Sequence, residues 1–195
     1  MHKILRPALV LLALFTVLTG IAYPLAVTGL AAVLAPQQAG GSLIVRNGTV
    51  VGSALIGQSF ASERYFHGRP SATTAPDPAD PSKTIAAPYD ASASAGSNLG
   101  PSAAALKEAV ARRAAALGPG PAPADLVTAS ASGLDPDVSP AAALVQVPRV
   151  AAARRLDPAR LRALVEAHVE EPRFFFGEPR VNVLALNLAL DATNP

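Results

Sequence analysis

The stretch Ala8–Leu34, ALVLLALFTVLTGIAYPLAVTGLAAVL, decides what kind of protein this is. It runs for 27 residues without a charged side chain. The hydrocarbon core of a bilayer is about 30 Å thick and takes roughly 20 helical residues, so the stretch crosses with length to spare for tilt. It is apolar all round and lacks the polar face that a surface helix of a globular domain keeps. Pro24, Gly20 and Gly29 mark places where such a helix can kink, and membrane helices tolerate both residue types. Tyr23 falls within the stretch and not at its end. The competing reading is a cleaved signal peptide, whose apolar region is about 7–15 residues and ends in an Ala-x-Ala-like site. This run is far longer, and no strict Ala-x-Ala triplet occurs between Ala8 and Ala39; Val33-Leu34-Ala35 is a loose match. The reading is a permanent transmembrane anchor.

The charges around the span give it a direction. Lys3 and Arg6 are the sole charged residues before Arg46, so they carry the whole formal net charge of +2 that 16 Lys+Arg and 14 Asp+Glu leave. Basic residues flanking a span favour the cytoplasmic side, which puts residues 1–7 in the cytoplasm, 8–34 in the membrane and 35–195 outside. A neutral remainder is not the composition of a nucleic-acid binder. There is no cysteine, which excludes disulfides, thiol nucleophiles and cysteine-based metal sites. Half of the 195 residues are hydrophobic and only 15% are charged, but 42 of them are alanine, so much of the apolar count is small side chains.

Beyond the span the pattern predicts one extracytoplasmic α+β domain. Arg46-Asn47-Gly48, between Leu43–Val45 and Thr49–Val51, reads as a β-hairpin turn, with Asn-Gly supplying the positive φ angles. Residues 70–101 contain six prolines with many Ser, Ala and Asp, and are expected to form a long loop without regular structure. Leu106, Val110, Ala114 and Leu117 recur at helical spacing after Pro101, and Gly118-Pro119-Gly120-Pro121 stops that helix. Asp125–Thr128 is a short strand candidate. Ser139-Pro140 caps a helix that Pro148 must bend or shorten. Asp157-Pro158 opens another, with Leu161, Leu164 and Val165 inward, and Val181–Leu186 reads as a buried strand followed by a helical or irregular tail.

The chemistry in this sequence is sparse. No nucleophile elbow, zinc-protease helix, phosphate-binding P-loop or dinucleotide fingerprint occurs, so no catalytic residue is assigned. His2, His67 and His168 are too few and too scattered for a metal site. His67 can contact a partner or be an ordinary exposed loop histidine, and His168 falls on the apolar side of its helix as a hydrogen-bonded residue at the core edge. Arg149, Arg154, Arg155, Arg160 and Arg162 face only Asp157, a local surplus of four positive charges. They can meet acidic lipid or an acidic partner, or simply solvate helix ends. The loop Ser130–Pro136 can offer backbone N–H groups to an anion, or be only a turn.

Several blocks have a familiar order: Arg6-Pro7-Ala8; Gly57-Gln58-Ser59-Phe60; Tyr65-Phe66-His67-Gly68-Arg69-Pro70-Ser71; Gly96-Ser97-Asn98-Leu99-Gly100-Pro101-Ser102; Asp125–Ser130 with Gly133-Leu134-Asp135-Pro136; Ser139–Ala143 with Gln146 and Arg149-Val150-Ala151; and Val181–Leu184. Nearly end to end, the chain resembles the C subunit of the bacterial Kdp potassium-transporting ATPase. It departs from that pattern at Ala95 and Ala131, where the family usually has glycine, and at Asp137, where it usually has histidine.

The resemblance implies an accessory subunit with one membrane helix, in the bacterial inner membrane. Its partners would be a channel-like potassium-binding subunit, a P-type ATPase subunit and the lipid bilayer, with no nucleic acid. No covalently bound cofactor is implied; ATP would be met through the ATPase subunit, and K+ is carried by the partner subunits. The family is described as a catalytic chaperone that raises the ATPase subunit's affinity for ATP, which makes Ser130, Ser132, Gly133 and Gln146 the nucleotide-contact candidates. His67, Arg69, Arg149, Arg154 and Arg155 are the partner-contact candidates. The charge argument puts these residues on the side opposite ATP, which favours instead a domain that caps the channel subunit's outer mouth. The alternative class is a free-standing anchored or secreted binding module that recognises its target through residues 70–101.

Overall fold

A computed structural model describes residues 2–172 and 176–193. The chain forms two compact units, Met1–Val51 and Gly52–Pro195.

In the first unit, α1 (His2–Val17) and α2 (Tyr23–Leu34) are parts of one long helix, joined through a π-helical segment, Leu18–Ala22. The apolar helical region Ile4–Leu34 is 31 residues long, with its large side chains exposed rather than packed inside the chain. The irregularity expected of Pro24 and the glycines falls in the turn just before the proline. Pro24 supplies no N–H, and the wider turn absorbs the loss, with Tyr23 N–H donating to the Leu18 carbonyl. Gly29 lies within regular helix. Ala35 leaves helical geometry, and Pro36 starts a single turn, α3 (Pro36–Ala39). Ser42 N–H then donates to Gln37 O at 2.9 Å, leading into β1 (Leu43–Arg46) and β2 (Thr49–Ser53). Asn47 and Gly48 both have positive φ, 52° and 77°, as the tight turn requires.

The second unit is α+β. After β3 (Thr74–Pro76) and β4 (Thr84–Ala86) come α4 (Ala104–Leu117), α5 (Ala124–Val127), β5 (Asp137–Val138), α6 (Pro140–Arg154), α7 (Pro158–Ala167), β6 (Val169–Glu170), β7 (Arg180–Asn182) and α8 (Val183–Thr193). An antiparallel sheet in the order β5-β7-β6 pairs Val181 with Val138 on one side and Val169 on the other. The core gathers Val138 and Val181 with Ala142, Ala143, Val147 and Val150 of α6, Leu161 and Val165 of α7, Leu186 and Leu190 of α8, and Phe66 from a loop. Ser139 and Asp157 cap α6 and α7 as their sequences require, accepting from Ala142 N–H and Ala159 N–H.

Four expectations change. Residues 125–128 are not a strand. Following Pro123 they form a helical turn, closed by Thr128 N–H donating to Ala124 O and fixed by Ser139 N–H donating to Asp125 Oδ2 at 2.6 Å. The strand at Val181 stops at Asn182, whose Oδ1 accepts from Ala185 N–H and starts α8; the apolar run Val183–Leu190 is helical. Residues 70–101 contain the β3–β4 hairpin, with Thr74 opposite Ala86 and Pro76 opposite Thr84. Finally, α6 is not shortened at Pro148, which lies on its exposed face.

Candidate functional site

The loop Ser62–Pro70 gathers one group of candidates: it contains His67 and Arg69, and Gln146, Arg149 and Arg154 reach its backbone. Phe66 is fully buried, so its backbone polar groups need partners inside the protein. Asn187 of α8 supplies both: Oδ1 accepts from Phe66 N–H and Nδ2 donates to Phe66 O, each at 2.9 Å. Gln146 of α6 repeats the arrangement one residue on, accepting from His67 N–H at 2.8 Å and donating to His67 O at 3.0 Å. Two side-chain amides, one from each helix, thus pair with consecutive loop residues as a β-strand would.

Two arginines complete the clamp. Arg149 donates to the carbonyls of Glu63 and Tyr65 and to Gln146 Oε1. Arg154 is buried and donates to Arg64 O at 2.7 Å and Asp191 Oδ1 at 2.6 Å, while its guanidinium lies 4.7 Å from the Tyr65 ring centroid. Tyr65 in turn donates its hydroxyl to Asp191 at 3.2 Å. Arg155 takes no part. It ends α6 in a left-handed conformation at φ 57° with its side chain exposed. His67 is half-buried, with Nε2 at 3.1 Å from Ser62 O. Burial holds its pKa below the ordinary histidine value, helped by Arg149 and opposed by the Ser62 carbonyl and Glu63. His168, at the end of α7, bonds through Nδ1 to Leu164 O at 2.8 Å, a core-edge residue as its position implied.

The serine–glycine loop lies on the other side of Arg69. Ser130 is buried, and its Oγ accepts from Gly133 N–H at 2.9 Å. Ser132 Oγ accepts from Leu134 N–H at 3.1 Å, and Ser71 Oγ donates to Gly133 O at 2.7 Å. Gly133 N–H and Leu134 N–H are therefore engaged with serine side chains of the loop itself. Its backbone is zipped to a neighbouring loop: Ala95 N–H and Ser94 Oγ both donate to Ser132 O. The close approach is served by Gly96, where a Cβ would sit 2.7 Å from Ala131 O, and by Gly133, at φ 70° with a Cβ position 2.6 Å from Ala95 O. Alanine at 95 and 131 is compatible because the partner residue across each contact is glycine. Tyr89 locks the same region, donating its hydroxyl to Arg69 O at 2.6 Å and its N–H to Ser71 Oγ. Burial pushes its phenol up to about 12, with Asp135 adding to the effect and Arg69 opposing it.

An open cleft of about 470 Å³ lies between Arg69, Asp125, Asp135, Asp137, Glu178 and Arg180. Most of its charges are paired. Arg69 meets Asp135 at 3.0 Å, and Arg180 meets Asp137 at 3.1 Å and Glu170 at 3.0 Å. Asp137, the residue that departs from the familiar pattern, also accepts from Asn182 Nδ2 at 3.1 Å. Its pKa is raised, chiefly by burial, against the opposing pull of Arg180 and Asn182. No group of three His, Asp or Glu side chains among the described residues is placed to hold a metal ion.

The structure thus brings His67, Gln146, Arg149 and Arg154 onto one loop, and Arg69 beside the serine–glycine loop. It leaves Arg155 outside both groups. Asn187, Asp191, Tyr89 and the Asp137–Arg180 pair were not singled out from sequence. Asn187 carried a signal, as a polar residue inside the otherwise apolar Val183–Leu190 run.

In sequence, the chain matches known proteins along nearly its whole length. The family model for KdpC, the K+-transporting ATPase c chain, matches residues 5–192. The chain belongs to the KdpC family. Among its relatives, the potassium-transporting ATPase KdpC subunit of Methylorubrum extorquens is 65% identical over 191 residues, 95% of each chain. The KdpC subunit of Methylobacterium nodulans is 64% identical over 192 residues, 96% of each chain. That of a Rhodopseudomonas palustris strain is 61% identical over 199 residues, 99% of this chain and 98% of the relative. The clamp described above is thus built on a KdpC family chain, with its Phe66-His67 segment held by Gln146 and Asn187.

Proposed function

We propose that this chain is a non-catalytic accessory subunit of a bacterial potassium-transporting ATPase, anchored by Ala8–Leu34 with its N-terminus in the cytoplasm. The α+β domain works on the outer side, where it steadies the assembly and caps the side from which K+ enters. It acts through a rigid surface presented to a channel-like subunit, and the P-type ATPase subunit supplies the hydrolysis.

One observation carries this reading over direct nucleotide contact. Two of the four nucleotide-contact candidates are committed inside the domain: Gln146 pairs with His67 and Arg149, and the Ser130 hydroxyl is buried and accepts from Gly133 N–H. Turning Gln146 or Ser130 toward ATP would break these part-buried and buried hydrogen bonds, at about 1–3 kcal/mol for each group left unpaired. The two cations before the span point the same way, because they hold this domain on the side opposite ATP.

The test is the ATP dependence of the purified complex carrying Ser132→Ala, a substitution at an exposed position. The half-saturating ATP concentration is expected to stay within about twofold of wild type, since a lost nucleotide contact worth about 1.4 kcal/mol is tenfold. A tenfold rise would restore the nucleotide-loop reading.

A further inference from the structure

Beyond the span itself, the surface of the first unit least suited to water is one face of the β1–β2 hairpin. The two-residue turn at Asn47-Gly48 sets Arg46 opposite Thr49 and Val45 opposite Val50, and residues two apart on a strand share a face. Leu43, Val45 and Val50 therefore lie together, and they are 50%, 59% and 54% exposed. Ile44 and Val51, on the opposite face, are half-buried. A sheet with one side in water alternates apolar and polar residues, whereas both faces here carry large aliphatic side chains. An isolated two-stranded hairpin is marginal in water, so the outward face needs a cover.

The place where the hairpin is held indicates that cover. Through Val51 it belongs to the same compact unit as the apolar helix Ile4–Leu34. The junction between them is hydrogen-bonded chain: Ala39 N–H donates to Ala35 O, Gly40 N–H to Pro36 O and Ser42 N–H back to Gln37 O, each at 2.9 Å. Gly41 and Ser42, both at positive φ, turn the chain, and Ser42 is buried. Gln37 lies three residues past Leu34, at most about 11 Å from it, and β1 starts directly after the Ser42 that is bonded to Gln37. The charges agree with this placement. No Asp or Glu occurs before Glu63, so residues 35–62 carry one charge, Arg46, exposed beside the hairpin turn. About a quarter of an average soluble chain is charged. A lone cation on an apolar element beside a span is instead the composition of an interfacial segment that meets anionic lipid.

Resting on the membrane-span reading above, we infer that the β1–β2 hairpin is a second membrane-contacting element, its Leu43, Val45 and Val50 face seated at the headgroup–acyl boundary of the bilayer and its Arg46 meeting the phosphates of anionic lipid. The hairpin then fixes the height at which the chain leaves the membrane, which the apolar helix alone, free to tilt and slide, does not.

Spin labels in the full complex test this. The chain has no cysteine, so with cysteine-free partner subunits a single nitroxide is carried at Ala13→Cys in the span, Val45→Cys on the hairpin face or Ala116→Cys on α4. The complex is reconstituted in vesicles of phosphatidylethanolamine and phosphatidylglycerol. Relaxation of each label by oxygen, which concentrates among the acyl chains, is compared with relaxation by a water-soluble nickel chelate. The label at position 45 is expected to be open to oxygen and shielded from nickel, about 5–10 Å inside the phosphate level. Arg46→Gln should lower the ratio of seated to water-exposed label there about fivefold, the worth of one cation near an anionic surface. Nickel access at position 45 equal to that at position 116 would overturn the inference. So would shielding from both reagents, which means that a protein covers the face, or a ratio that Arg46→Gln leaves unchanged. If the label at position 13 is itself open to nickel, it is the span that fails.

Discussion

Replacing Asn187 tests whether the loop clamp holds the domain together. Asn187 is 1% exposed and satisfies both backbone groups of Phe66, which is 0% exposed. Asn187→Leu is close in size but leaves a buried N–H and a buried carbonyl unpaired. At about 1–3 kcal/mol for each, the cost is about 2–6 kcal/mol, a large fraction of the roughly 5–15 kcal/mol that holds a domain folded. For a domain near 150 residues this lowers the melting temperature by about 5–15 °C, readable by near-ultraviolet circular dichroism of the full chain in detergent. Asn187→Asp sharpens the test. An ionised carboxylate accepts from Phe66 N–H but repels Phe66 O, whereas the protonated acid accepts with one oxygen and donates with the other. The folded state therefore raises the carboxyl pKa above its unfolded value of about 3.9. The folded form binds the proton more tightly, so stability falls as pH rises through that window. Asn187→Asp should thus be most damaging at neutral pH and partly recover on acidification. A loss below about 1 kcal/mol for Asn187→Leu, or no pH dependence for Asn187→Asp relative to wild type, would refute the reasoning.

Other consequences follow from the same geometry. Arg154→Lys keeps the charge but loses the fork that reaches Arg64 O and Asp191 together, so it should cost about 1–3 kcal/mol in chemical denaturation. Gly133→Ala forces a side chain into φ 70° with its Cβ 2.6 Å from Ala95 O, and should lower stability by at least about 1–3 kcal/mol in the same assay. His67, held below the ordinary histidine value by burial, favours its neutral form in the folded state. Its contribution is complete above a pH of about 6.5 and is lost as pH falls through the folded pKa, so His67→Gln should flatten the stability profile of wild type on the acid side of neutrality.

How much of this was legible in the residues depended on the range of the interaction. The span, the Asn47-Gly48 turn and the helix caps at Ser139 and Asp157 are local matters of hydrophobicity, positive φ and side-chain oxygen, and each is where its residues required. Of the misread elements, one was decided by a distant contact and one by a local cap. Asp125–Thr128 contains strand-formers yet is helical, because Asp125 is held by Ser139 N–H 14 residues on. Val181–Leu186 has the apolar run of a buried strand, but one polar residue, Asn182, caps it into a helix. The site was least legible of all. Gln146, Arg149 and Arg154 stand out as polar groups on an apolar helix, but that they turn inward to a loop some 80 to 90 residues earlier is settled only by the fold.

The central claim is that this domain acts from outside the membrane. The chain has no cysteine, so a single introduced thiol is a unique reporter. Ala116→Cys lies at an exposed position of α4, and His2→Cys precedes the span. In intact spheroplasts, a membrane-impermeant maleimide should label Ala116→Cys at once and His2→Cys only after permeabilisation. The reverse pattern would put the domain beside ATP and contradict the account.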